Sequence, residues 1–238
     1  MDLLGSGDNT TAHLEEVFRE ICTLEVEADG LDLKANTVRS RVLKEGQKYE
    51  GVRLEFEACL GKIRIPIQID IGFGDHVYPS PQSTEYPTIL PTSAKPRLRA
   101  YPAETVVAEK FQAMVELGIG NSRMKDFYDL WFLCRDFQFE GETLRLAIKG
   151  TFERRDTALP VATPLALTRQ FTDDVAKKAQ WAAFLKKGRL RMQPQELAQV
   201  ACELERFLMP PALAGSQTAP FKLCWPPGGP WRPTAVKP

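Results

Sequence analysis

Val52-Arg53-Leu54-Glu55-Phe56-Glu57-Ala58-Cys59-Leu60-Gly61-Lys62-Ile63-Arg64-Ile65-Pro66-Ile67-Gln68-Ile69-Asp70-Ile71 is the stretch that decides the fold. Val52, Leu54, Phe56, Ala58 and Leu60 alternate with Arg53, Glu55, Glu57 and Cys59, the period of a half-buried strand. After Gly61-Lys62 the alternation resumes in Ile63, Ile65, Ile67, Ile69 and Ile71. A two-residue turn there pairs Leu60 with Ile63, hence Phe56 with Ile67 and Arg53 with Asp70. All the apolar side chains then share one face, an arrangement that a slip of one residue destroys. Pro66 brings no amide, which predicts an edge or a bulge at that point. Asp70 lies near the end of its strand on the polar face. It reads either as a cross-strand salt bridge to Arg53 or as a carboxylate offered to a metal, and the spacing fits both.

Upstream, Met1-Asp2-Leu3-Leu4-Gly5 reads as the tail of a strand and an exit turn. An Asn9-Thr10-Thr11 cap then opens a helix through about Cys22, with Leu14, Val17, Phe18 and Ile21 inward. Downstream, Pro79, Pro81, Pro87, Pro91, Pro96 and Pro102 interrupt any period, which predicts an extended connection. Beyond it the chain reads as all helical, over about 103–118, 122–136, 141–153, 173–187 and 194–209, with Pro210-Pro211 stopping the last helix. The tail Trp225-Pro226-Pro227-Gly228-Gly229-Pro230-Trp231 excludes regular secondary structure, leaving either a rigid packed arm or disorder. The expected fold is therefore α+β, a small mixed β-sheet part over 1–102, a helical bundle over 103–209 and a Pro/Trp-rich tail over 210–238.

The 238 residues suffice for one large or two small domains, and 43% hydrophobic with 26% charged residues is ordinary globular composition. Lys plus Arg and Asp plus Glu each number 31, so no global field points to nucleic acid or membrane. Lys177-Lys178 and Lys186-Lys187-Gly188-Arg189-Leu190-Arg191 form local basic runs, read as solvated helix face in preference to a polyanion site. Cys22, Cys59, Cys134, Cys202 and Cys224 stand singly without zinc spacing. Neither a leader nor a long apolar run is visible, so the simplest compartment is the cytoplasm and no membrane is implied.

Charge concentrates in two helices. Phe111, Met114, Val115 and then Phe127, Leu130, Trp131, Leu133, Cys134 carry the core period, and onto it are set Glu109, Lys110, Arg123, Lys125, Asp126 and Asp129. Asp126 and Asp129 share a face, and Lys125 reaches Asp129 at i,i+4. Surface ion pairs would explain the pattern, and so would a site for a polyanion. Carboxylates on a sheet with cations on a helix suit phosphoryl or nucleotidyl transfer, in which carboxylates hold a divalent metal and cations neutralise phosphate charge. Asp2 and Asp70 are the candidate metal ligands, with Lys110, Arg123 or Lys125 as the cations. Gly5-Ser6-Gly7 lacks the pattern of a phosphate loop.

Asp2-Leu3-Leu4-Gly5, Ile69-Asp70-Ile71-Gly72-Phe73-Gly74-Asp75, Ala108-Glu109-Lys110-Phe111-Gln112-Ala113 and Arg123-Met124-Lys125-Asp126-Phe127-Tyr128-Asp129-Leu130 resemble the AbiEii/AbiGii toxin nucleotidyltransferase family. The closing Trp-Pro-Pro-Gly-Gly-Pro-Trp is similar to that of its bacterial members. The resemblance implies a polymerase-β-like nucleotidyltransferase fold with an added helical region, and a toxin of a toxin–antitoxin or phage abortive-infection system. It further implies a nucleoside triphosphate substrate, Mg²⁺ as cofactor, tRNA as an acceptor and a cognate antitoxin as partner. By position, Asp2 resembles the second aspartate of the Asp-x-Asp metal motif, and Asp70 the third carboxylate and general base. Lys110 resembles the phosphate-contacting lysine, catalytic together with Asp70 and Asp126. Arg123, Lys125, Asp126 and Asp129 match the second helical motif, with Arg123, Lys125 and Asp129 toward the nucleotide. Aligned on Asp2, the family's first aspartate, lead-in strand and glycine turn would precede Met1, so a truncated start is expected. Two functions follow: a nucleotidyltransferase toxin, or an inactive remnant that binds only nucleotide or antitoxin.

Overall fold

The computed structural model describes residues 1–26, 29–43, 51–90, 92–188, 190–192, 194 and 196–233. Of the sequence expectations, those on Pro91, Arg189, Gln195 and the last five residues of the tail lie outside them. Packing divides the chain into two compact units, Met1–Asp75 and His76–Pro238, whereas composition draws its line at 102.

The first unit is α+β. Strands β1 (Asp2–Gly5), β2 (Leu31–Leu43), β3 (Gly51–Leu60) and β4 (Ile63–Phe73) form a mixed sheet in the order β1-β4-β3-β2, with β1 parallel to β4. Helix α1 (Thr11–Cys22) packs against β2. The hairpin has the predicted register, with Leu60 opposite Ile63, Phe56 opposite Ile67 and Arg53 opposite Asp70. Gly61 has φ +58° at the first central position of the turn, which a side chain would strain. Pairs alternate along the ladder from Leu60–Ile63, so the Glu57–Pro66 pair is a non-hydrogen-bonded one and the amide that Pro66 lacks would face away from β3. Strand β1 covers only Asp70 to Phe73 of β4, so no ladder bond is lost at Pro66.

The apolar face carries Val52, Leu54, Ile69 and Ile71, buried with Val38 of β2 and with Leu14 and Phe18 of α1. Thr10 caps α1 by accepting the His13 amide on its hydroxyl. Ile21 is 44% exposed rather than inward; Cys22 packs there instead. Strand β2 was not legible as a strand. A bulge between Lys34 and Arg39 moves its inward positions from Leu31 and Leu33 to Val38, Ser40 and Val42, breaking the alternation.

The second unit is mainly helical. It holds α2 (Ala103–Leu117), α3 (Met124–Asp136), α4 (Gly141–Arg154), α5 (Arg169–Thr172), α6 (Val175–Lys187) and α7 (Leu197–Ser216). Helix α2 packs on α4, α4 on α7 and α7 on α3, around Phe111, Phe127, Phe152, Phe207, Leu130 and Leu204. The extended connection is partly regular, since β5 (Gln82–Glu85) and β6 (Arg97–Ala100) pair antiparallel. Nor is the remainder all helix: β7 (Phe139–Glu140), β8 (Leu223–Trp225) and β9 (Arg232–Pro233) make a small antiparallel sheet. No helix of the described residues is long and apolar enough to cross a membrane.

Pro210 and Pro211 do not stop α7, which runs on to Ser216. In a helix the Pro211 position would bond the Phe207 carbonyl, and proline has no amide to give. The Trp231 indole supplies the donor instead, at 3.0 Å from the Phe207 oxygen. Residues 225–231 of the tail are therefore a packed arm. Trp225 ends β8 and is buried, and its indole donates to the Cys134 carbonyl at 2.6 Å near the end of α3. The Gly228 amide donates to the same oxygen. Gly229 lies so close to Trp225 that a Cβ there would sit 2.5 Å from the ring. Trp231→Phe keeps the ring and removes the donor, leaving the carbonyl unpaired; it is expected to cost about 1–3 kcal/mol in urea unfolding. An unchanged midpoint would contradict that role.

Candidate functional site

The charged motif is an anchored network on α2 and α3. Core positions Phe111, Met114, Phe127 and Leu130 turn one side of each helix inward, which fixes Lys110, Asp126 and Asp129 beside one another. Lys110 Nζ lies 2.6 Å from Asp126 Oδ1 and 2.9 Å from Asp129 Oδ2. Asp126 has only 5% of its side chain exposed, and Lys110 19%. Arg123 Nε approaches Asp126 Oδ2 at 2.7 Å, a close charge contact in which the oxygen receives no well-directed hydrogen bond. Lys125 reaches Asp129 at 2.5 Å, the predicted i,i+4 pair. Burial alone pushes the Lys110 ammonium down; the hydrogen bonds to Asp126 and Asp129 outweigh it, and the net shift is upward from the ordinary lysine value.

Two kinds of cation result. Lys110 is committed to carboxylates, while Arg123 and Lys125 have 55% and 72% of their side chains exposed. Three cations against Asp126 and Asp129 leave one net positive charge, presented by the exposed pair. From the end of α4, Arg155 reaches α2, approaching Glu109 at 3.6 Å and donating to the fully buried Gln112 at 2.9 Å.

In the first unit, the polar sheet face carries a row set by register. Asp2 stands opposite Asp70, Asp70 opposite Arg53 and Arg53 opposite Arg41, so all four share a face. Arg53 grips Asp70 through two parallel contacts, Nε to Oδ1 at 2.6 Å and Nη2 to Oδ2 at 2.7 Å. The salt-bridge reading of Asp70 is therefore realised. These hydrogen bonds hold the Asp70 carboxyl below its ordinary value. The stability this gives is present above about 3.8 and lost as pH falls through the depressed value. Among the described residues no three or more His, Cys, Asp or Glu gather as a metal cluster. Two carboxylates on one face still suit Mg²⁺, which takes few protein ligands beside phosphate oxygens. The donors fit that ion once Asp70 is shared between it and Arg53.

A family model described as nucleotidyl transferase AbiEii toxin, type IV toxin–antitoxin system, matches residues 1–200. The chain belongs to this family. Two solved Helicobacter pylori structures are similar to this AbiEii chain. One, described as a candidate nucleotidyltransferase, is 16% identical with TM-score 0.37 over 80% of this chain and 69% of that one. The other, JHP933, is 15% identical with TM-score 0.38 over 81% and 67%. No curated protein matches the chain.

The structure thus brings Lys110, Arg123, Lys125, Asp126 and Asp129 together on α2–α3, and sets Asp2 beside Asp70 on the sheet. Arg155 and Gln112 were not legible as neighbours of the AbiEii cluster, being 43 residues apart. The Cys134 thiol is buried and pushed up to about 12, which leaves it unreactive at neutral pH. Lys110→Met strands the buried Asp126 carboxylate with Arg123 alone and is expected to cost on the order of 3–5 kcal/mol at neutral pH. Because the folded value of Lys110 is raised, its contribution is complete below about 10.5 and disappears as pH rises through the raised value. Denaturant titrations of both proteins across that range should converge at high pH; a gap independent of pH would contradict the assignment.

Proposed function

We propose that this toxin transfers a nucleoside monophosphate from a nucleoside triphosphate to an acceptor hydroxyl, that of tRNA, with Mg²⁺ and with release of pyrophosphate. The observation that carries the reading is the exposed Arg123–Lys125 pair, held on a buried carboxylate anchor, in a chain of a nucleotidyltransferase family. Arg123 and Lys125 contact the triphosphate, Arg123 being able to offer a planar fork of donors. Lys110 fixes Asp126 and Asp129, and through them the cations. Asp2 and Asp70 would hold Mg²⁺, which when bound supplies neutralisation of the charge on the phosphates. Asp70, ionised at neutral pH, takes the proton of the acceptor hydroxyl when Arg53 releases an oxygen. An antitoxin opposes the activity in the cytoplasm, where growth arrest would serve phage defence by abortive infection.

A second reading is binding of nucleotide or antitoxin without turnover. The bidentate hold of Arg53 on Asp70 favours it, because both oxygens are occupied. Incubation with labelled nucleoside triphosphates, Mg²⁺ and total tRNA separates the two. Transfer of label is expected, falling on the order of 100-fold in Asp70→Ala. Absence of label with every nucleotide would overturn the transferase reading, as would full labelling by Asp70→Ala.

A further inference from the structure

The turn between α2 and α3 carries Arg123 into the cluster, and a cation on another helix holds that turn. Lys177, in the first turn of α6, is 7% exposed and so is not on the solvated face that its basic run suggests. Its Nζ donates to the Asn121 carbonyl at 2.9 Å and stands 5.2 Å from the centroid of the Phe171 ring. Among the described residues its ammonium pairs with no carboxylate; its backbone amide donates to Asp174 Oδ1 at 2.9 Å, capping the helix. Asn121 is 1% exposed, and its side-chain oxygen accepts the Arg123 amide at 2.8 Å. The Arg123 carbonyl accepts the Asp126 amide at 2.9 Å, and the guanidinium meets the Asp126 carboxylate at 2.7 Å. Each end of Arg123 is thus fixed, its backbone through Asn121 and its head through Asp126.

Burying an ammonium against one carbonyl and one ring is costly when a neutral donor could make the same hydrogen bond. The cost falls at the one place where it stiffens the backbone that leads into Arg123. We propose that Lys177 is a positioning residue: through Asn121 it sets the turn so that Arg123 stays on Asp126 with its free guanidinium nitrogens turned toward a phosphate. Its relevance to the triphosphate rests on the function proposed above; its hold on the turn does not. Lys177 touches no substrate. It acts through Arg123, so its effect vanishes when Arg123 is absent.

Two measurements test this. Amide hydrogen exchange at Arg123 and Asp126 is compared in wild type, Lys177→Met and Lys177→Gln, the last keeping a donor for the carbonyl. A rise of about 10-fold or more in Lys177→Met, smaller in Lys177→Gln, is expected. If Lys177→Met does not fold, the comparison of Lys177→Gln with wild type decides. The second measurement is the affinity for a non-hydrolysable ATP analogue with Mg²⁺ in Lys177→Met, Arg123→Ala and the double variant. The double variant should bind no more weakly than Arg123→Ala alone, which a merely structural role for Lys177 would not produce. Unchanged exchange, or losses that multiply in the double variant, would overturn the proposal. A wild-type protein that binds no analogue would count against the proposed function, while the exchange result still decides whether Lys177 holds the turn.

Discussion

A carboxylate taken out of water must be paired, and Asp126, with 5% of its side chain exposed, is the carboxylate on which this structure turns. Its position on α3 demands a cation from α2, and Lys110 supplies one. The same ammonium reaches Asp129, so one contact set fixes how the two helices stand against each other. Arg123 is drawn onto the remaining oxygen and Lys125 onto Asp129, which aligns two exposed cations along one helix start. The aromatic core beneath, with Phe127 against Phe171 and Phe111 against Phe152, keeps the pair dry enough for the charges to matter.

The first unit obeys a different rule. There the sheet register does the positioning, because partners across a ladder share a face. Asp2, Asp70, Arg53 and Arg41 come into one row without any helix being involved. The Arg53–Asp70 pair keeps the carboxylate ionised and also occupies it, so any ligand of Asp70 competes with a guanidinium.

What could be read in the sequence was what local periodicity controls. The β3–β4 hairpin was legible to the residue because its alternation is unbroken and its turn is two residues long. Strand β2 was hidden by a bulge that moves its inward set from one parity to the other. The run of α7 past Pro210-Pro211 was hidden because the group that makes it tolerable, the Trp231 indole, lies 24 residues from Phe207. The site divides in the same way. Lys125 with Asp129 follows from i,i+4 spacing, whereas Lys110 with Asp126 bridges two helices, and Lys177 reaches Asn121 across 56 residues. Charge density and helix spacing singled out Lys110 and the Arg123-to-Asp129 motif, and resemblance gave them a role; the family match over residues 1–200 bears out the family.

We propose that the exposed cations anchored by Asp126 and Asp129 bind a triphosphate. The most direct measurement is the salt dependence of triphosphate-analogue binding to wild type and to the Arg123→Ala, Lys125→Ala double variant. Wild-type affinity is expected to fall steeply with salt, and the double variant to bind at least about 10-fold more weakly with a flatter slope. Equal affinity and equal slope in the two proteins would contradict it.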